Sequence, residues 1–163
     1  MTMRHDTLAA TAEAIGTGIV SLSDSLDALR PDFFIVYADR FEGLAAVVAG
    51  TQMGIPTAHI EGGDITEGGA LDDSVRHAMT KLAHLHFTTN EEAAERVRKL
   101  GEEAWRVHNV GFPALDLIAQ LGLGDAVEFV SGVSDERSVE LYAESELAVV
   151  PSLYEGFSLP AIE

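Results

Sequence analysis

Short, uninterrupted apolar runs alternate along the chain with longer segments in which apolar residues recur every three or four positions. This is the pattern of buried parallel strands joined by helices. Helical spacing begins over residues 7–29, where Ile19, Leu22, Leu26 and Leu29 share a face and Gly16 and Gly18 divide the helix into two pieces. Arg30 and Pro31 close it, because a proline disfavours the α conformation in the residue before it, and a strand is expected over 33–37. A second helix, 41–53, turns Leu44, Val47 and Val48 inward and stops at Gly54, where a left-handed cap is needed. Pro56 then opens a strand over 57–60. The segment 61–71, EGGDITEGGAL, has four glycines, suiting close backbone approach to a ligand or a tight turn. No Gly-Lys-Ser/Thr follows it, so it is not a Walker phosphate loop.

A helix over 72–83 buries Val75, Met79 and Leu82, and a third strand is expected over 84–88. Thr89 and Glu92 have capping-box spacing at the head of a charged helix that ends at Leu100 with Gly101 as its stop. A fourth strand over 106–110 leads to a short helix from Pro113 to about residue 119. Beyond it the pattern predicts a strand over 127–130, a helix introduced by Ser134 and running to 144, and a strand over 147–150. The expected architecture is a single domain, residues 1–163, with a doubly wound, Rossmann-like α/β sandwich. Its sheet has about six mostly parallel strands, helices on both faces and ligand-facing residues at the carboxyl edge.

Composition narrows the partners. Apolar residues make up 47% of the chain and charged ones 23%, which fits an ordinary globular α/β protein and excludes a disordered one. With 27 acidic against 10 basic side chains, the formal charge of −17 argues against nucleic acid or an anionic membrane as partner. A nucleotide phosphate would be held by helix amino termini and a few local arginines. There are no cysteines, which removes disulfides, thiolate metal sites and cysteine nucleophiles. A charged-then-apolar leader and a run of 18 apolar residues are both missing from the sequence, so a soluble cytoplasmic protein is expected.

The candidate chemistry lies within FFIVYADRFEGLAAVVAGTQMGIPTAHIEGGDITEGGALDDSVRH, residues 33–77. Asp39 follows the first strand, Glu61 follows the second after His59, and Asp72 and Asp73 open a helix carrying Arg76 and His77 one turn on. Acidic groups therefore collect at one rim. Asp72 also suits a helix amino-terminal cap, and Asp39 and Glu61 also suit solvated strand ends. His84 and His86 alternate on a strand and would point the same way; packing is the favoured reading over a metal site.

Residues 16–118 resemble the amino-terminal half of the hydrolysing UDP-N-acetylglucosamine 2-epimerases, especially the sialic-acid-precursor branch, through YADRFE, AHIEGGDITEGG, DDSVRHAMTKLAHLHF and NVGFPALD. The resemblance implies one half of a two-domain GT-B fold that takes a UDP-sugar and needs no cofactor or metal. Asp39, Glu61 and Asp73 would be its catalytic carboxylates, with acid and base roles undecided, and Arg40, Asp72, Arg76 and His77 would bind substrate. Residues 121–163, ending in PSLYEGFSLPAIE, resemble the carboxyl-terminal domain of family 4 glycosyltransferases, whose E-x7-E pattern falls on Glu155 and Glu163 and would hold the donor sugar and ribose. The joined text looks like a chimera, with its junction near Gln120. Three readings follow from it: an epimerase half-site with little or no activity alone, a nucleotide-sugar binding module, or an inactive structural chimera. The resemblance implies further strands beside those expected here, so an exposed sheet edge and pairing with another chain through it are expected.

Overall fold

The computed structural model describes residues 8–37, 40–66, 71–127, 130 and 134–145. By packing, the chain divides into one unit of residues 1–117 and another of residues 118–163. In the first unit, helix α1 (Leu8–Leu29) is followed by β1 (Phe34–Tyr37), α2 (Phe41–Gln52), β2 (Thr57–Ile60), α3 (Leu71–Leu82), β3 (Leu85–Thr88), α4 (Glu91–Lys99) and β4 (Val107–Asn109). Helix α5 (Pro113–Gln120) spans the division, and α6 (Asp135–Glu144) lies in the second unit.

The four strands form one parallel sheet in the order β1-β2-β3-β4. Register aligns Val36 with His59, His59 with His86 and His86 with Val107, so these side chains share a face. Helices α2 and α3 cover that face through Val47 and Met79, which pack with Val36, Phe34, Leu44, Val75 and Leu82. Helix α4 covers it beside β4 through Ala94, Val97 and Val107. Val47, Met79 and Val97 are fully buried, each contributing about 1.5–3 kcal/mol of transfer free energy. Helix α1 lies on α2, with Leu26 and Leu22 against Ala49, Ile55 and Phe34. The opposite face carries Ile35 and Tyr37, each more than half exposed, with Ile60, Leu85 and Phe87 half-buried.

Several expectations change. Among the described residues the sheet has four strands and not six, and its helices cover one face and not two. Right-handed crossovers between strands in sequential order all return on the same side; covering both faces needs a reversal of strand order. Of the strand expected over 127–130, Val127 and Val130 are exposed and outside any strand, while 128–129 and all of 147–150 lie outside the described residues.

Helix α1 is continuous. A Cβ at Gly16 would meet open space, and one at Gly18 would come within 3.1 Å of Ala45 Cβ, so Gly18 lets α1 approach α2 closely. Leu29, expected in the buried stripe, is exposed. Arg30 avoids the α region before Pro31 by adopting φ 48°, its amide still bonded to the Leu26 carbonyl. Gly54 takes φ 74° after α2, as its capping place requires. The cap of α4 is Asn90 and not Thr89: its side chain accepts from the Ala93 amide at 2.8 Å. Ser134 caps α6 as expected, accepting from the Arg137 amide.

Candidate active site

The carboxyl ends of β1, β2 and β3 form the edge where the candidate residues gather. Glu61 follows β2 directly, and its amide extends the sheet ladder by donating to the Phe87 carbonyl at 2.9 Å. Its φ is 64°, a left-handed conformation that costs a non-glycine residue roughly 1–2 kcal/mol. The turn this creates brings the Glu61 carboxylate under the Tyr37 hydroxyl, which donates to Oε1 at 2.7 Å. Tyr37 and Ile60 are register partners, so the tyrosine reaches Glu61 from the neighbouring strand on the helix-free face.

Behind Glu61 the chain turns inward. A Cβ on Gly63, whose φ is 87°, would stand 2.4 Å from the Ala93 carbonyl oxygen of α4, so only glycine fits there. The Gly63 carbonyl accepts from Arg96 Nη1. Asp64 follows, its carboxylate accepting from the Thr89 hydroxyl at 2.8 and 2.9 Å and its carbonyl from Arg76 Nη1 at 2.8 Å. Arg76 Nη1 also meets Asp73 Oδ1 at 3.1 Å, and that same oxygen accepts from the Thr66 amide at 2.9 Å. The Asp73 and Arg76 side chains are 14% and 8% exposed, so this ion pair is largely shielded from solvent, and removing one partner would leave the other charge buried.

Asp72 is exposed in the first turn of α3. His77 is half-buried, and its Nδ1 is buried with no hydrogen-bond partner among the described residues. Arg40 occupies the position before the first turn of α2 without a side-chain capping bond, its guanidinium 3.6 Å from Glu42 and over the Phe41 ring. Asp39, Glu155 and Glu163 lie outside the described residues. On the covered face, His59 is fully buried against Thr80 at 3.0 Å; the Thr80 hydroxyl donates to the Arg76 carbonyl, which assigns the proton to His59 Nδ1. His59 thereby buttresses the turn of α3 that carries Arg76.

The two histidines considered for a metal part company. His84 precedes β3 and accepts the Thr57 amide on Nδ1, whereas His86 is fully buried with Nε2 3.2 Å from Glu102 Oε2. Glu102 also pairs with Lys81 and Arg106. Burial lowers the His86 pKa, outweighing the opposing pull of Glu102. Burial alone would raise Glu102, but the Lys81 hydrogen bond and the His86 contact hold it below its ordinary value.

A family model described as UDP-N-acetylglucosamine 2-epimerase matches residues 1–149. The chain belongs to that family. It is 31% identical over 148 residues to the GDP/UDP-N,N'-diacetylbacillosamine 2-epimerase (hydrolyzing) of Campylobacter jejuni, a match covering 91% of this chain and 37% of the relative. The crystal structure of UDP-GlcNAc 2-epimerase from Neisseria meningitidis bound to UDP-GlcNAc shares the fold at TM-score 0.64 and 24% identity, over 69% of this chain and 32% of that one. The chain therefore spans about a third of the length of these epimerases. A separate likeness, 57% identity over 51 residues, joins 31% of the chain to 12% of the MMP alpha-(1->4)-mannosyltransferase of Mycolicibacterium hassiacum.

In this member of the epimerase family the edge unites Glu61 with Tyr37, and Asp73 with Arg76 and the Asp64 turn. Tyr37, Asp64, Thr89 and Arg96 escaped the sequence reading. Tyr37 looked like the end of an apolar run and Thr89 like a helix cap; a side-chain contact 25 residues away in sequence leaves no periodic trace.

Proposed function

We propose that the chain carries the carboxylate side of a hydrolysing UDP-N-acetylglucosamine 2-epimerase site. The supporting observation is the pair of differently placed carboxylates at one sheet edge: Glu61, turned outward in a left-handed conformation under Tyr37, and Asp73, shielded and paired with Arg76. Two carboxylates in unlike surroundings suit a reaction that needs both a proton acceptor and a proton donor. One carboxylate takes the proton from carbon 2 of the sugar, and that electron pair forms the carbon 1–carbon 2 double bond as the bond from carbon 1 to the UDP oxygen breaks. Water then adds across the double bond to give N-acetylmannosamine, with another carboxylate guiding the leaving oxygen or the water. Asp39 is the third carboxylate of this reading, and Arg40, Asp72, Arg76 and His77 are its substrate contacts. In this reading Arg40 and Arg76 are the arginines nearest the nucleotide sugar, each already beside a carboxylate, and the net charge of −17 disfavours nucleic acid.

Titration calorimetry with UDP-N-acetylglucosamine, followed by assay for UDP and N-acetylmannosamine, tests the proposal. Binding that Arg76→Ala weakens about ten-fold or more, with any turnover abolished in Glu61→Gln, is expected. A chain that gives no heat with the nucleotide sugar beyond that with phosphate would refute it.

A second reading draws on the mannosyltransferase likeness: a nucleotide-sugar binding module in which Glu155 meets the donor sugar and Glu163 the ribose, within a chain of two ancestries. It is favoured if Glu155→Gln weakens nucleotide-sugar binding while Glu61→Gln does not.

A further inference from the structure

Two carboxylates follow β2 within four residues, Glu61 and Asp64, and they are held differently. Glu61 meets the Tyr37 hydroxyl at the rim, whereas both Asp64 oxygens are taken by the Thr89 hydroxyl beyond β3, with Asn90 Nδ2 at 3.5 Å from one of them. A single hydroxyl proton shared between two oxygens fixes the plane of the Asp64 carboxylate against β3. The backbone of the same turn is tied elsewhere. Arg96 of α4 binds the Gly63 carbonyl, Arg76 of α3 binds the Asp64 carbonyl, and Asp73 of α3 binds the Thr66 amide. Gly63 itself is pressed against Ala93. A glycine-rich surface loop is ordinarily among the more mobile parts of a fold, yet the first six residues of this one are attached to β1, β3, α3 and α4.

We propose that Asp64 is a positioning residue: seated on Thr89, it fixes the turn of residues 61–66 so that the Glu61 and Asp73 carboxylates keep one spacing toward a UDP-sugar. The inference rests on the reading of this edge as a UDP-sugar site. The role assigned to Asp64 is indirect: its carboxylate is turned to Thr89, and its effect reaches the ligand through Glu61, three residues before it, and through Arg76, which grips its carbonyl while pairing with Asp73. Pre-ordering of this kind removes a conformational cost from binding.

Two measurements on the full chain separate the inference from the reading beneath it. Amide hydrogen exchange at residues 62–66 is recorded without ligand, and UDP-N-acetylglucosamine affinity is recorded by calorimetry, for the unaltered chain and for Thr89→Val, Thr89→Ser and Asp64→Ala. Thr89→Val and Asp64→Ala are expected to speed exchange in the turn and to weaken binding about ten-fold while the thermal midpoint holds, and Thr89→Ser, which keeps the hydroxyl, is expected to restore both. Unaltered exchange at those amides in Thr89→Val overturns the positioning role whatever the ligand does. Absence of binding in the unaltered chain overturns the UDP-sugar reading, and with it the purpose assigned to Asp64, even where exchange confirms the tether.

Discussion

At Gly63 the backbone of the site meets the backbone of a helix, and no side chain can stand between them. Gly63→Ala would force both a strained φ and a collision with the Ala93 carbonyl, and is expected to destabilise the protein by about 2–4 kcal/mol, read as a lowered denaturation midpoint. An unchanged midpoint would contradict this close approach. The same scale explains Glu61. A glutamate at φ 64° is held by its amide on Phe87 and its carboxylate on Tyr37, so Tyr37→Phe is expected to loosen the carboxylate and to weaken UDP-N-acetylglucosamine binding by about 1 kcal/mol, checked by calorimetry. Glu61 was legible from its place after an apolar run. Its partner was not, because strand pairing brings Tyr37 and Glu61 together across 24 positions.

Among the elements, helix α4 shows how two chemically similar residues divide their work. Thr89 has the spacing of a cap, but Asn90 occupies that place and accepts from the Ala93 amide, leaving the Thr89 hydroxyl for Asp64. Asn90→Ala is therefore expected to cost about 1 kcal/mol of stability by chemical denaturation, with the sugar-site turn less affected than in Thr89→Val. Equal loss of turn order in both variants would show that the cap and the tether are one device. Helix α1 teaches a related lesson. Its glycines suggested a break, yet Gly18 serves the contact with Ala45, and a helix tolerates glycine where another helix must come close.

Across the whole molecule, acid is expected to act through the buried cluster that joins α3, β3 and the approach to β4: His86, Glu102, Lys81 and Arg106. His86 titrates at its ordinary 6.5 in the unfolded chain and lower when folded, so below 6.5 the unfolded chain holds more protons and stability falls. Glu102, held below 4.5 in the fold, adds a second loss as the medium becomes more acidic still. Thermal midpoints should decline from pH 7 toward pH 5 in the native chain and less steeply in His86→Gln; equal slopes would exclude His86 as the source. The sheet as a whole presents β1 as an edge strand among the described residues, with its own Ile35 and Tyr37 exposed. Pairing through that edge is expected to give a species heavier than 17.4 kDa by light scattering, and a monomer at high concentration would refute it.

Sequence by itself determined the succession of strands and helices over residues 34–109, the caps at Gly54 and Ser134, and the clustering of carboxylates at strand ends. Each of these is written in local periodicity or in the conformational demands of single residues. Tertiary structure alone decided that the four described strands lie in sequential order with their helices on one face, and that Asp64 belongs to Thr89 and Glu102 to His86. Those outcomes depend on which distant segments become neighbours, and a local pattern states how an element folds without stating what it will fold against.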